Sequence, residues 1–196
     1  MKLASILSLL LSTSVFAAVT NGQDAPDFSL QGAAGKTVKL SDYKGKTVVL
    51  EWLNHGCPFV RKHYDSNNMQ SLQKKYTEKG VVWLSIISSA EGKQGFVDAK
   101  TAATEKASNK SLASDVLLDP KGATGQMYEA KTTPHMFVIN PAGKVVYQGA
   151  IDDKASADQA DVKTAKSYVA AALDSTLSGK PVTIAQTKSY GCGVKY

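Results

Sequence analysis

The chain has 196 residues and only two cysteines, Cys57 and Cys192. Pro58 directly follows Cys57. Proline suits the first helical position, where the N–H it lacks would be unpaired in any case, so Cys57 is expected at the N-cap of a helix. A sulfur there faces free backbone N–H groups and the positive end of the helix dipole. Both favour a thiolate, which predicts a lowered pKa and a nucleophile at neutral pH. The same cysteine could equally be a quiet cap. Cys192 lies in Ser189-Tyr190-Gly191-Cys192-Gly193-Val194, where flanking glycines predict a mobile backbone suited to thiol–disulfide exchange. The twelve residues from Lys180 to Cys192 span up to about 40 Å. A domain of this size has a radius of gyration near 16 Å, roughly, so Cys192 can reach Cys57. A permanent bond between the two is the competing expectation. Closing a loop of about 135 residues would constrain the unfolded chain by roughly 5 kcal/mol.

The elements that must position these sulfurs follow from pattern. Residues 28–30 and 37–40 alternate around the Gly32–Gly35 turn as a small N-terminal hairpin would. Residues 47–53 are β-branched and apolar between Gly45 and Gly56, the mark of a buried strand. A helix begins at Pro58 and is stopped by Gly80, with Val60, Tyr64, Leu72 and Tyr76 on one face and a break expected at residues 65–68. Residues 81–87 then supply a strand parallel to the first, through a right-handed crossover. Further on come a helix at 96–106, a strand at 116–119, a short helix at 122–130, a hairpin of strands 136–139 and 145–149 about Asn140-Pro141-Ala142-Gly143, and a long alanine-rich helix at 157–177. Residues 181–196 form a tail that carries Cys192.

Composition bounds the compartment and the partners. With 43% hydrophobic and 20% charged residues the chain suits one globular domain, expected over residues 18–196. Residues 1–17 read as a signal peptide: Lys2, an apolar stretch from Leu3 to Leu11, then Val15 and Ala17 before the cleavage point. The expected localisation is therefore export, periplasmic or secreted, with no stable membrane span once the leader is removed. Loss of Lys2 lowers the net charge from +6 to +5, spread along the chain without a basic run, so no nucleic-acid partner is expected. Two cysteines in an oxidising compartment favour pairing.

Several segments resemble the redoxin (AhpC/TSA) branch of the thioredoxin superfamily, and a peroxiredoxin-like subgroup of it. They are Gly22-Gln23-Asp24-Ala25-Pro26-Asp27-Phe28, the lead Leu40-Ser41-Asp42-Tyr43-Lys44-Gly45, the Cys57-Pro58-Phe59-Val60 motif, and Thr132-Thr133-Pro134. The resemblance covers nearly the whole chain after the leader. It implies an α/β thioredoxin-like fold, with a central mixed β-sheet flanked by helices, an N-terminal hairpin and a C-terminal tail. It also implies a cis Thr133–Pro134 bond facing the cysteine, with Thr133, Pro134 and Pro58 bordering the substrate.

Departures from the family pattern matter as much. Thioredoxins carry C-x-x-C, and Val60 stands in the second place. Peroxiredoxins use P-x-x-x-T-x-x-C with a distant arginine; counting from Cys57 the threonine place holds Asn54 and the proline place Leu50, and Arg61 is the only arginine. An efficient peroxidase of that design is not expected. Thioredoxins bury an aspartate six residues before the first cysteine; Glu51 holds that place, where desolvation would raise its pKa and let it exchange a proton with a departing thiol. His55 and His135 are candidates to border Cys57, where an imidazolium would lower its pKa further. Asn54 is expected to orient the loop before Cys57, and His63 to sit on an exposed helix face. No cofactor and no metal are expected.

The leading expectation is an exported thiol–disulfide oxidoreductase with Cys57 as nucleophile, Cys192 as resolving partner and Glu51 as proton acceptor. Its partners would be a disulfide-bearing protein or small thiol substrate and a thiol electron donor. The alternatives are a peroxidase-like antioxidant acting through a Cys57 sulfenic acid, and a binding protein with a structural Cys57–Cys192 disulfide.

Overall fold

The computed structural model describes residues 19–196; the expected signal peptide lies outside them. Seven strands form one mixed sheet in the order β2-β1-β5-β4-β3-β7-β8. Its centre is β3 (Val48–Trp52) beside β4 (Val82–Ile87) and β5 (Asp115–Leu118), all parallel. The antiparallel hairpin of β7 (His135–Ile139) and β8 (Val145–Gly149) extends one side, and that of β1 (Ser29–Gly32) and β2 (Thr37–Lys39) the other. Every residue of β3 and β4 is buried, as a strand covered on both faces requires.

Side chains alternate across β3, and that parity sorts the site. Val49 and Leu53 join Cys57, Val60, Tyr64 and Tyr76 in the core on one face. Val48, Leu50 and Trp52 join Phe28, Tyr128 and Phe137 on the other. There the Trp52 ring lies 5.5 Å from Tyr128 and 5.2 Å from Phe137.

Helix α1 (Pro58–Asp65) and helix α2 (Asn68–Thr77) divide where residues 65–68 predict a break, with Asn67 at φ 60° turning the chain. Helix α3 (Ala99–Ser108) starts three residues later than expected, because the Asp98 side chain accepts from Thr101 N–H and caps it. Short helix α4 is Ala123–Met127.

The long helix expected at 157–177 does not form. Only α5 (Tyr168–Leu177) is α-helical, preceded by a 3-10 turn at Gln159–Lys163. Short polar side chains hold the backbone elsewhere: Asp158 accepts from Ala160 N–H, Asp153 accepts from Lys166 N–H, and Ser156 donates to Asp161. Such bonds compete with helix, and alanine propensity loses to them. Ser167 then caps α5 through Ala170 N–H at 3.1 Å. Ser167→Ala is expected to cost about 1 kcal/mol, read as a shifted denaturant midpoint with an unchanged slope.

Candidate active site

Cys57 stands at the N-cap of α1 in extended conformation, with Pro58 as the first helical residue. The loop before it is wired tightly. Asn54 Oδ1 accepts from Gly56 N–H at 2.9 Å, and Asn54 carbonyl accepts from Cys57 N–H at 2.9 Å. Gln94, which sequence reasoning passed over, locks this loop from outside: its amide donates to the Gly56 carbonyl at 3.1 Å and accepts from Asn54 Nδ2 at 3.3 Å. A lone glutamine in a loop carries no pattern that would have marked it.

The Thr133–Pro134 bond is cis, and the Thr133 carbonyl accepts from the Cys57 thiol at 3.0 Å. The tail completes the site. Strand β9 (Cys192–Gly193) pairs antiparallel with β6 (Thr132–Thr133), Cys192 opposite Thr133. Cys192 N–H thereby points at Cys57 Sγ from 3.4 Å. The two sulfurs are not bonded to each other, and Cys57 has none of its surface exposed.

The tail is docked along its length. Thr187 N–H donates to the Gln148 carbonyl, Val194 N–H to Lys131, and Tyr196 hydroxyl to Ala130. Gly191 is needed for proximity: at φ 131° it lies against the Thr133 carbonyl where no Cβ fits.

The two thiols differ in acidity. Burial pushes Cys57 up, but the Cys192 side chain and the N–H groups of Cys192 and Val60 outweigh it, and the pKa is lowered. The bond to the Thr133 carbonyl, which only the protonated sulfur makes, works the other way. Cys192 is pushed up to about 11, first by burial and then by Cys57 itself. The two sulfurs are thus chemically distinct.

Glu51 is fully buried on the same face as Cys57. Its carboxylate accepts from Trp83 Nε1 at 2.8 Å, Ser85 at 2.9 Å, Tyr64 at 3.0 Å and Gln73 at 3.4 Å. Burial raises its pKa, and these four donors restrain the rise. Among the described residues it makes no hydrogen bond to either sulfur.

The histidines depart from expectation. His135 follows Pro134 in sequence, but strand parity turns it to the far face, where its ring packs on Phe137 at 4.6 Å and Nδ1 accepts from Lys131 N–H. His55 packs edge-on against Tyr64 at 5.0 Å. Burial lowers both to a pKa of about 4, so neither supplies an imidazolium to Cys57 at neutral pH. His63 is fully buried rather than exposed, and burial lowers it to about 4 as well. It meets Tyr190 and Asn68.

The AhpC/TSA family model matches residues 21–148. The chain belongs to this family. It is 30% identical over 143 residues to the thiol-disulfide oxidoreductase ResA of Bacillus subtilis, covering 71% of this chain and 74% of that one. An uncharacterized conserved protein from Geobacillus kaustophilus superposes with a TM-score of 0.77 at 25% identity, over 93% of this chain and 94% of that one. A candidate thiol:disulfide interchange protein DsbE from Chlorobium tepidum gives 0.52 at 34% identity, over 67% and 85%. The fold these redoxins share is the mixed, helix-flanked sheet described above. Among the described residues no helix is long and apolar enough to cross a membrane.

The three buried histidines give stability a definite pH dependence. In the folded protein they stay neutral down to about pH 4, whereas an unfolded histidine takes up a proton below about 6.5. Their contribution is complete above pH 6.5 and is lost as the pH falls toward 4. Glu51 acts oppositely, since burial raises its pKa above that of the unfolded chain. Unfolding near pH 5.5 should therefore take up two to three protons, a slope of about 3 kcal/mol per pH unit. Denaturant midpoints at pH 7 and pH 5 check this; equal midpoints would refute it.

Proposed function

We propose that the chain is an exported thiol–disulfide oxidoreductase in which Cys57 attacks and Cys192 resolves. The observation that carries this reading is the β9–β6 pairing, which brings Cys192 N–H to 3.4 Å from Cys57 Sγ. The opposite shifts of the two thiols match the two roles.

Cys57 thiolate attacks one sulfur of a substrate disulfide. That S–S bond breaks, a Cys57–substrate disulfide forms, and the departing sulfur takes a proton from water. Cys192 then loses its proton and attacks Cys57 Sγ, expelling the second substrate sulfur, which is protonated in turn. The substrate gains two electrons and two protons, and the chain is left with a Cys57–Cys192 disulfide for an external thiol donor to reduce. Thr133 and Pro134 offer the substrate a backbone edge, with Pro58 and His55 beside it. That edge is held by β9, so the tail must leave before a substrate can pair there. Glu51, the expected proton acceptor, touches neither sulfur, and its bond from Tyr64 ties it to α1 from beneath. Export rests on the leader-like residues 1–17, and the substrate is a disulfide-bearing protein or small molecule.

Cys192→Ser should accumulate a mixed disulfide between Cys57 and substrate, visible as a reducible band on gels, and Cys57→Ser should form none. No adduct, together with a Cys57 inert to iodoacetamide after mild loosening of the tail, would end the proposal. A reduction potential below about −300 mV would instead mark a structural bond, and rapid peroxide consumption would favour the antioxidant reading.

A further inference from the structure

A second buried polar cluster lies on α1 away from Glu51, and the exchange chemistry just described leaves it unused. Lys62 and His63 have fully buried side chains, and Asp152 is 3% exposed. Lys62 Nζ stands 3.6 Å and His63 Nε2 3.9 Å from Asp152 Oδ2, an oxygen with no hydrogen bond of its own. Lys62 also donates to the Lys154 carbonyl at 2.7 Å, and Lys154 N–H donates to Asp152 Oδ1 at 3.0 Å. Burying such charges is costly unless each is paired and bonded. The group that closes the cluster comes from the tail.

That group is Tyr190. Its hydroxyl donates to Asp152 Oδ1 and lies 3.2 Å from His63 Nε2. The direction of the bonds is determined by Asn68, whose Nδ2 donates to His63 Nδ1 at 2.8 Å. The ring proton then resides on Nε2, so His63 donates to the Tyr190 oxygen and Tyr190 donates onward to Asp152. The tyrosine ring packs on Phe59 at 5.9 Å, with Lys62 Nζ 5.5 Å from its centre.

We propose that Tyr190 is the positioning residue for the resolving step: latched to Asp152, it seats Cys192 against Cys57 and keeps that sulfur covered. This rests on the exchange reading above. Phe59, Lys62 and His63 stand on the helix that Cys57 caps, and Tyr190 stands two residues before Cys192. The cluster therefore joins the nucleophile's helix directly to the resolver's strand. Gly191, pressed on the Thr133 carbonyl, leaves little slack between latch and sulfur.

The test separates the two chemical steps with a chromogenic aromatic disulfide. Cys57 attack releases one coloured thiol and forms an aryl mixed disulfide; Cys192 attack on Cys57 Sγ releases the second and forms the intramolecular disulfide. Tyr190→Phe keeps the ring on Phe59 and Lys62 but removes the latch. It should slow the second release about tenfold or more, the scale of a lost hydrogen bond to a charged acceptor, with the first release at least as fast as in the unaltered chain. Asp152→Asn should do the same, and the double variant should be no slower than either alone. A second release at the unaltered rate in folded Tyr190→Phe overturns the latch, as does equal slowing of both steps. If Asp152→Asn does not fold, Tyr190→Phe decides alone. A chain with no second release even when unaltered would instead refute Cys192 as resolver, and with it the reading on which the latch depends.

Discussion

The pairing of two residues of the tail with two residues of the cis-proline loop organises this site. Through it Cys192 N–H reaches Cys57 Sγ, and Cys57 loses all contact with solvent. A sulfur at a helix N-cap is normally acidified by the first-turn N–H groups. Here the first turn contributes through Val60 N–H, but a larger share of the stabilisation comes from Cys192, on a strand donated from the far end of the sequence. The acidity of Cys57 and its protection consequently share one contact, and lifting the tail from Cys57 also removes the Cys192 donors from it.

Beneath α1 the protein keeps two polar centres in separate compartments. Glu51 is surrounded by four donors from β4, α1 and α2 and has no exit to water. Asp152 is reached by Lys62 and His63 from α1 and by Tyr190 from the tail. The first is closed whether or not the tail is in place. The second is complete only when the tail is docked, so the tail contributes to the stability of the helix it covers.

Much of this was legible in local sequence and much of the rest was not, for identifiable reasons. Cys57 followed by Pro58 predicts its own cap, because capping depends on neighbours only. The β3–α1–β4 crossover and the break near Asn67 are local as well. His135 was misplaced because adjacency in sequence to Pro134 suggests adjacency in space, whereas strand parity sends alternate residues to opposite faces. His63 was misjudged by residue type: it lies three residues after Val60 and one before Tyr64, on the buried face of α1, and the nearby Asn68 together with Asp152 and Tyr190, both remote in sequence, makes a polar ring acceptable there. The helix expected over 157–177 failed because propensity is a weak prior beside serine and aspartate side chains that bind backbone.

The exchange chemistry proposed above requires these contacts to let the tail leave. Strand β9 is only two residues long, so releasing it forfeits little of the sheet, and local openings of this kind cost far less than global unfolding. Anchors on either side limit how far the opening spreads: Thr187 bonds Tyr147 and Ala150 before it, and Tyr196 packs against Gly122 and Gly125 beyond it. Cys192 is therefore displaced as a short bow between two fixed points rather than as a free arm. A short bow returns quickly, because closing a small loop carries little entropic cost. In the proposed exchange, which must first admit a substrate disulfide and then resolve the mixed disulfide before it exchanges elsewhere, that geometry would give brief access followed by intramolecular attack at high effective concentration.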